Sequence, residues 1–125
     1  MAENYYIDEQ SNAKLTFTLR DEDNATITLS AIGTLYLTLF NKCDESSQYY
    51  LATINSRYRQ NVLNTNNVAV SSSGTLIWSV QYLDNEILDS NEQEEHHVAL
   101  FEVYYGGKKA PIVFNFYVKN LHYVS

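Results

Sequence analysis

Polar and apolar residues alternate along most of this chain with a period of two. Lys14-Leu15-Thr16-Phe17-Thr18-Leu19-Arg20 alternates without a break. Successive strand side chains point to opposite faces, so Leu15, Phe17 and Leu19 share one side. Thr34 to Phe40 repeats the pattern. It puts Leu35, Leu37 and Leu39 inward and Tyr36 and Phe40 on the other face, which is expected to be partly covered too. Tyr49 to Ile54 is a shorter, less regular run, and Val68 with Val70 marks a brief strand. Thr75 to Tyr82 places Leu76, Trp78, Val80 and Tyr82 on one face, with Trp78 at the centre of the core. His97 to Tyr105 reads as a strand. In the run opened by Pro111, Ile112, Phe114, Phe116 and Val118 form the inner face. Leu121 to Val124 still reads as strand, so no tail is expected.

The breaks between these runs carry turn chemistry. Asp21-Glu22-Asp23-Asn24 is rich in residues that bond their own backbone, and Ser71-Ser72-Ser73-Gly74 is a second turn. Tyr105-Gly106-Gly107-Lys108 predicts a two-residue hairpin, because both glycines tolerate positive φ. Pro111 is expected to open the last strand, where a missing N–H does least harm. Asn55 to Asn67 is the least regular stretch, with room for one helical turn. Asp84 to Glu95 is expected to hold a short helix with Ile87 and Leu88 tucked beneath it. Residues 1–13 read as a flexible or extended amino-terminal arm. Short strands separated by turns at this spacing predict one domain, 1–125, of the all-β class: an immunoglobulin-like antiparallel β-sandwich of about seven strands. Its core should contain Leu15, Phe17, Leu37, Trp78, Val80, Leu100 or Phe101, Phe114 and Phe116.

Composition narrows the function. A chain of 125 residues can bury a core without a metal or disulfide. Cys43 is the sole cysteine, so no intramolecular disulfide can form, and a cytosolic or virion interior suits the chain. The net charge of −7 disfavours nucleic acid and anionic membrane surfaces as partners. The opening MAENYYIDEQ lacks the pattern of a secretory signal, and no apolar run approaches a membrane span. Asn24-Ala25-Thr26 matches a glycosylation acceptor but sits in an Asn- and Thr-rich turn. The 11 tyrosines suit protein interfaces as well as half-buried strands.

Candidate chemistry is sparse. Asp84 to Glu95 carries six carboxylates and no base, followed by His96 and His97. The spacing fits neither an EF-hand loop nor HExxH on a helix. Adjacent strand residues face opposite ways, so one of the two histidines is expected inside and one outside. Cys43 lies between Lys42 and the acidic Asp44 and Glu45, which oppose a depressed thiol pKa. Neither GxSxG nor a glycine-rich phosphate cradle is present. No catalytic residue, cofactor or metal ligand is therefore assigned. A small metal-dependent hydrolase built on Glu94, Glu95, His96 and His97 is the remote alternative. Arg57, Tyr58 and Arg59 are residue types enriched at interface hot spots and stand in a long connection. They are the candidate partner-binding residues. An internal salt link for the arginine pair is the competing reading.

Three blocks of the chain carry a family resemblance: KLTFTLRDEDNATITLSAIGTLYLTLFN (14–41), INSRYRQNVLNTNNVAVSSSGTLIWSVQYLDNEILD (54–89) and EHHVALFEVYYGGKKAPIVFNFYV KNLHYV (95–124). Its most specific pieces are Asn55-Ser56-Arg57, Gln60-Asn61-Val62-Leu63-Asn64, Gly74-Thr75-Leu76-Ile77-Trp78 and His97-Val98-Ala99-Leu100-Phe101-Glu102. Together they resemble small Ig-like structural proteins of tailed bacteriophages and prophages. A weaker likeness is to the amino-terminal domain of phage baseplate upper proteins, from which this chain departs by ending with the sandwich. The resemblance implies a non-enzymatic virion protein, made in the bacterial host cytoplasm. It would bind other virion proteins in the capsid, neck or tail and form a homo-oligomer in the particle. Capsid decoration or cementing is the leading expectation, and a neck or tail adaptor seating a fibre or spike is the alternative. Carbohydrate binding would require a row of tyrosines on one open face.

Overall fold

The alternating runs become two packed sheets. The computed structural model describes residues 6–89 and 91–121. Its strands are β1 (Tyr6–Asp8), β2 (Ala13–Thr18), β3 (Ile32–Asn41), β4 (Gln60–Asn61), β5 (Val68–Val70), β6 (Thr75–Val80), β7 (Glu94–Tyr105) and β8 (Lys108–Lys119). One sheet has the order β1-β8-β7-β3-β4 and the other β2-β6-β5. Neighbouring strands run antiparallel, except that β1 lies parallel to β8, with Tyr6 opposite Tyr117 and Asp8 opposite Lys119. The fold is an all-β sandwich, as the alternation predicts.

The period-two rule decides which residues fill the space between the sheets. Leu35, Leu37 and Leu39 of β3, Phe101 and Val103 of β7, Phe116 and Val118 of β8, and Leu76, Trp78 and Val80 of β6 are buried in one cluster. Between Leu100 and Phe101, register settles the matter: Phe101 pairs with Leu37 and turns inward, whereas Leu100 faces out. Trp78 is fully buried and meets Phe101 and Phe116 edge-on, at ring-centroid distances of 5.7 and 6.1 Å. Phe17 of β2 meets Phe101 at 5.5 Å, also edge-on. Phe101 therefore touches an aromatic ring from each of two strands of the opposing sheet. Such geometry sets the positive edge of one ring against the negative face of another.

β7 and β8, twelve residues each, form a hairpin closed by Gly106 and Gly107, at φ +52° and +75°. Positive φ at both central positions matches the right-handed twist of the strands. Pro111 lies inside β8, opposite Glu102, and does not open the strand. Counting pairs from the turn places its nitrogen on the sheet edge and away from β7, so no ladder bond is lost.

Several local expectations are corrected. Tyr49–Ile54 forms turns rather than a strand, touching β3 only through the Phe40–Thr53 bridge. Asn55–Asn67 contains no helical turn. It contains β4, with Asn55, Asn64, Asn66 and Asn67 at positive φ, a conformation that asparagine tolerates better than most residues. Tyr82 leaves the core face because β6 ends at Val80 and a 3-10 turn, Tyr82–Asn85, begins. That turn lies earlier than the expected helix. Residues 86–89 and 91–93 are irregular, while Ile87 and Leu88 do pack against the core. Of the amino-terminal stretch 1–13, Tyr6–Asp8 is strand, with Ile7 buried. Leu121 lies in a turn, and His122 to Val124, also read as strand, fall outside the described residues.

Candidate interaction surface

The long β3–β4 connection holds the three candidate partner-binding residues, and the fold separates them. Arg57 is 2% exposed and points inward. Its Nε donates to Asp84 Oδ1 at 2.6 Å and its Nη2 to Asp84 Oδ2 at 3.1 Å. Nη1 donates to Gln60 Oε1 and the Asn66 carbonyl, and Nη2 also to Asn67 Oδ1. All five guanidinium hydrogens are thus used within the chain. Asp84 is equally enclosed and also accepts from Asn55 Nδ2 and the Gln81 backbone N–H. Arg57 is an internal clasp, and its assignment as a partner contact is corrected. The five donors of one side chain are satisfied by groups from β4, from the loop after it and from the turn after β6, which nothing in local sequence announces.

Tyr58 and Arg59 turn the other way. Tyr58 is 71% exposed. Arg59 lies over the Tyr36 ring, 4.6 Å from its centroid. It also donates to the Tyr104 hydroxyl at 3.2 Å and sits 3.5 Å from Glu102. Lys109 closes on Glu102 at 2.7 Å, and that hydrogen bond holds its ammonium above the usual lysine range. Tyr36 and Tyr104 meet edge-on at 5.8 Å. These groups line one end of the outer face of the five-stranded sheet.

The middle of that face is apolar. Register puts Phe40, Val98 and Leu100 side by side there, with Val113 opposite Leu100 on β8. Val113 is 57% exposed. Beside them Thr38, Phe40, Leu51, Thr53 and Tyr58 form a shallow depression of about 160 Å³. An apolar centre bordered by ion pairs is the layout of a protein-binding patch. The sequence already set Tyr36 and Phe40 on this face. The pairing that adds Leu100, Val113 and Tyr58 is non-local.

Strand alternation also splits the acid–imidazole group. Glu95 and His97 turn inward, with His97 Nε2 3.0 Å from Glu95 Oε1. The Glu95 carboxylate accepts the Leu88 and Asp89 backbone N–H groups. Glu94 is exposed, and His96 stacks on Tyr117 at 4.9 Å and bonds Asn115 Oδ1 at 2.8 Å. The four side chains lie on two faces of one strand and cannot converge on one ion. Among the described residues, no three His, Cys, Asp or Glu side chains form a metal-holding group. Asn41, beside His97 in register, is fully buried, and neither atom of its amide has a hydrogen-bond partner among the described residues. Cys43 is a half-exposed free thiol. No helix among the described residues is long and apolar enough to cross a membrane.

No protein-family model matches the chain, and neither a curated protein nor a solved structure matches it.

Proposed function

We propose that this chain is a structural protein of a tailed bacteriophage particle that works by binding other virion proteins through the outer face of its five-stranded sheet. The carrying observation is the apolar centre of that face, Phe40, Leu100, Val113 and Tyr58, bordered by the Arg59–Glu102–Lys109 pairs. The three sequence blocks that resemble Ig-like phage proteins support the virion setting. Strand order supports the Ig-like part of the reading. β2, β6 and β5 take the places of strands B, E and D, and β8, β7, β3 and β4 those of G, F, C and C′. Binding rather than catalysis is supported by the use of the inner acids within the fold: Asp84 holds Arg57, and Glu95 holds His97 and two backbone amides.

Decoration or cementing of the capsid is the favoured role, since a compact domain with one apolar face suits repeated attachment to a lattice. The test is incorporation of Tyr58→Asp and Leu100→Glu variants into particles, after circular dichroism confirms their fold. Both should be lost from the particle. Normal incorporation overturns the face assignment. Copy number by quantitative mass spectrometry then separates a capsid-scale protein from an adaptor limited by neck symmetry.

A further inference from the structure

A second surface lies on the side of the sandwich. β2 is the edge of the three-stranded sheet and pairs only with β6 among the described strands. Its free edge borders a groove of about 620 Å³ lined by Lys14 to Thr18, Arg20 and residues 112–114 of β8. Leu15, Phe17 and Ile112 form its apolar floor, all on the inner faces of their strands.

The charges here differ from those of the rest of the molecule. The chain carries −7, yet among the described residues two cations and no carboxylate line this groove. Elsewhere Arg57, Arg59, Lys108 and Lys109 each have an acidic partner, while Lys42 and Lys119, which do not line the groove, form no ion pair among the described residues. Among the described residues Lys14 forms no ion pair, and the Arg20 side chain donates only to the Asn24 carbonyl. Alternation puts Lys14, Thr16, Thr18 and Arg20 on the outer side of the edge, and Leu15 and Phe17 on the inner side.

We propose that this groove accepts an extended segment of a partner protein, added as a strand to the free edge of β2. The segment alternates apolar residues, which turn inward onto Leu15, Phe17 and Ile112, with carboxylates, which turn outward to Lys14 and Arg20. Strand addition satisfies the unpaired edge amides, and the alternating side chains supply specificity. Lys14 and Arg20 are six residues apart along the edge, about 20 Å at strand rise, so about seven residues of the partner engage both. A second copy of this chain docked edge to edge would set these cations against each other, which disfavours self-pairing. The site meets the five-stranded face only at Val113, and its cations and apolar floor lie outside that face.

The test uses the full chain and a fluorescein-labelled nonapeptide alternating Glu and Val. Two controls replace every Glu by Lys or place Pro at the centre. Fluorescence anisotropy at low salt should show binding of the Glu peptide alone, and binding should weaken as salt rises. Amide shifts in NMR spectra should fall on β2. The double variant Lys14→Glu/Arg20→Glu, with both changes at exposed positions, should keep its melting temperature and weaken binding by about tenfold or more. Equal binding of the Lys peptide, unchanged affinity in the double variant, or shifts confined to Phe40, Val98 and Leu100 would each overturn the proposal. So would a dimer in sedimentation that the double variant abolishes, because the occupant would then be a second copy. Tyr58→Asp and Leu100→Glu leave the groove intact, so failure of the face and failure of the groove are read separately.

Discussion

Arg57 and Asp84 hold each other in a two-pronged, fully enclosed ion pair that ties the β3–β4 connection to the turn after β6. Both charges are enclosed in the fold, so each depends on the other and on the surrounding amides. Removing one partner leaves an uncompensated buried charge. Arg57→Ala should therefore cost about 3–5 kcal/mol. Arg57→Lys should recover only part of that, because an ammonium has three donors where the fork uses five. Urea unfolding of the three proteins checks this, and a loss below 1 kcal/mol for Arg57→Ala would show the pair to be dispensable.

Trp78 joins the two sheets through Phe101 and Phe116. Trp78→Ala should lower stability by about 3–5 kcal/mol, the range for large buried aromatics. The native protein should emit at the short wavelengths of an enclosed indole and shift to the red on unfolding. A native maximum like that of free tryptophan would contradict the packing.

Asn41 continues the inward series Leu35, Leu37, Leu39, but with an amide that finds no partner among the described residues. An unsatisfied buried polar group costs about 1–3 kcal/mol. Asn41→Leu, close in shape, should raise stability by an amount in that range, measurable as a higher denaturation midpoint with an unchanged slope. A loss of stability would mean that the amide has a role that hydrogen bonding within the chain does not reveal.

Glu22 bonds Lys108 at 2.9 Å and accepts from the Tyr105 hydroxyl, clipping the β2–β3 connection to the β7–β8 turn. The Lys108 hydrogen bond, the largest cause, holds the Glu22 carboxyl down at about 2, against an ordinary value of 4.5. A carboxyl depressed in the folded state contributes stability that is present above pH 4.5 and lost as pH falls toward 2. Because the pair is exposed, the effect should be small and should fade with salt. An NMR titration should show the Glu22 carboxyl moving back toward 4.5 in Lys108→Met. An unchanged midpoint would assign the depression to backbone contacts instead.

Much of the sandwich is legible in the order of residues, because burial on a strand follows a two-residue period that needs no knowledge of partners. Leu35, Leu37, Leu39, Trp78 and Phe116 fall inward on that rule alone. Phe101 against Leu100 required the register with β3, a contact between distant strands. Tyr82 broke the rule because Asp84 caps a turn through the Gln81 N–H and ends the strand early. The candidate contact residues divided for the same reason. Composition marks Arg57, Tyr58 and Arg59 alike, but only the folded chain brings Asp84 to the first and Tyr36 to the third. Tyr58 and Arg59 gained their setting from β3 and β7, which the connection merely crosses.

The parallel pairing of β1 with β8 joins the beginning of the described chain to its end. On the ribosome the β7–β8 hairpin has its two strands in immediate succession, whereas β1 emerges before the other described strands and its partner after them. The five-stranded sheet therefore cannot be completed until β8 has been made, and Ile7 remains without its buried position for that whole interval. Contacts of such long sequence separation slow folding, since chain closure precedes any gain from them. Closure of this edge spans the longest stretch of chain of any pairing in the sheet, and it fixes the earliest point at which the five-stranded sheet can be whole.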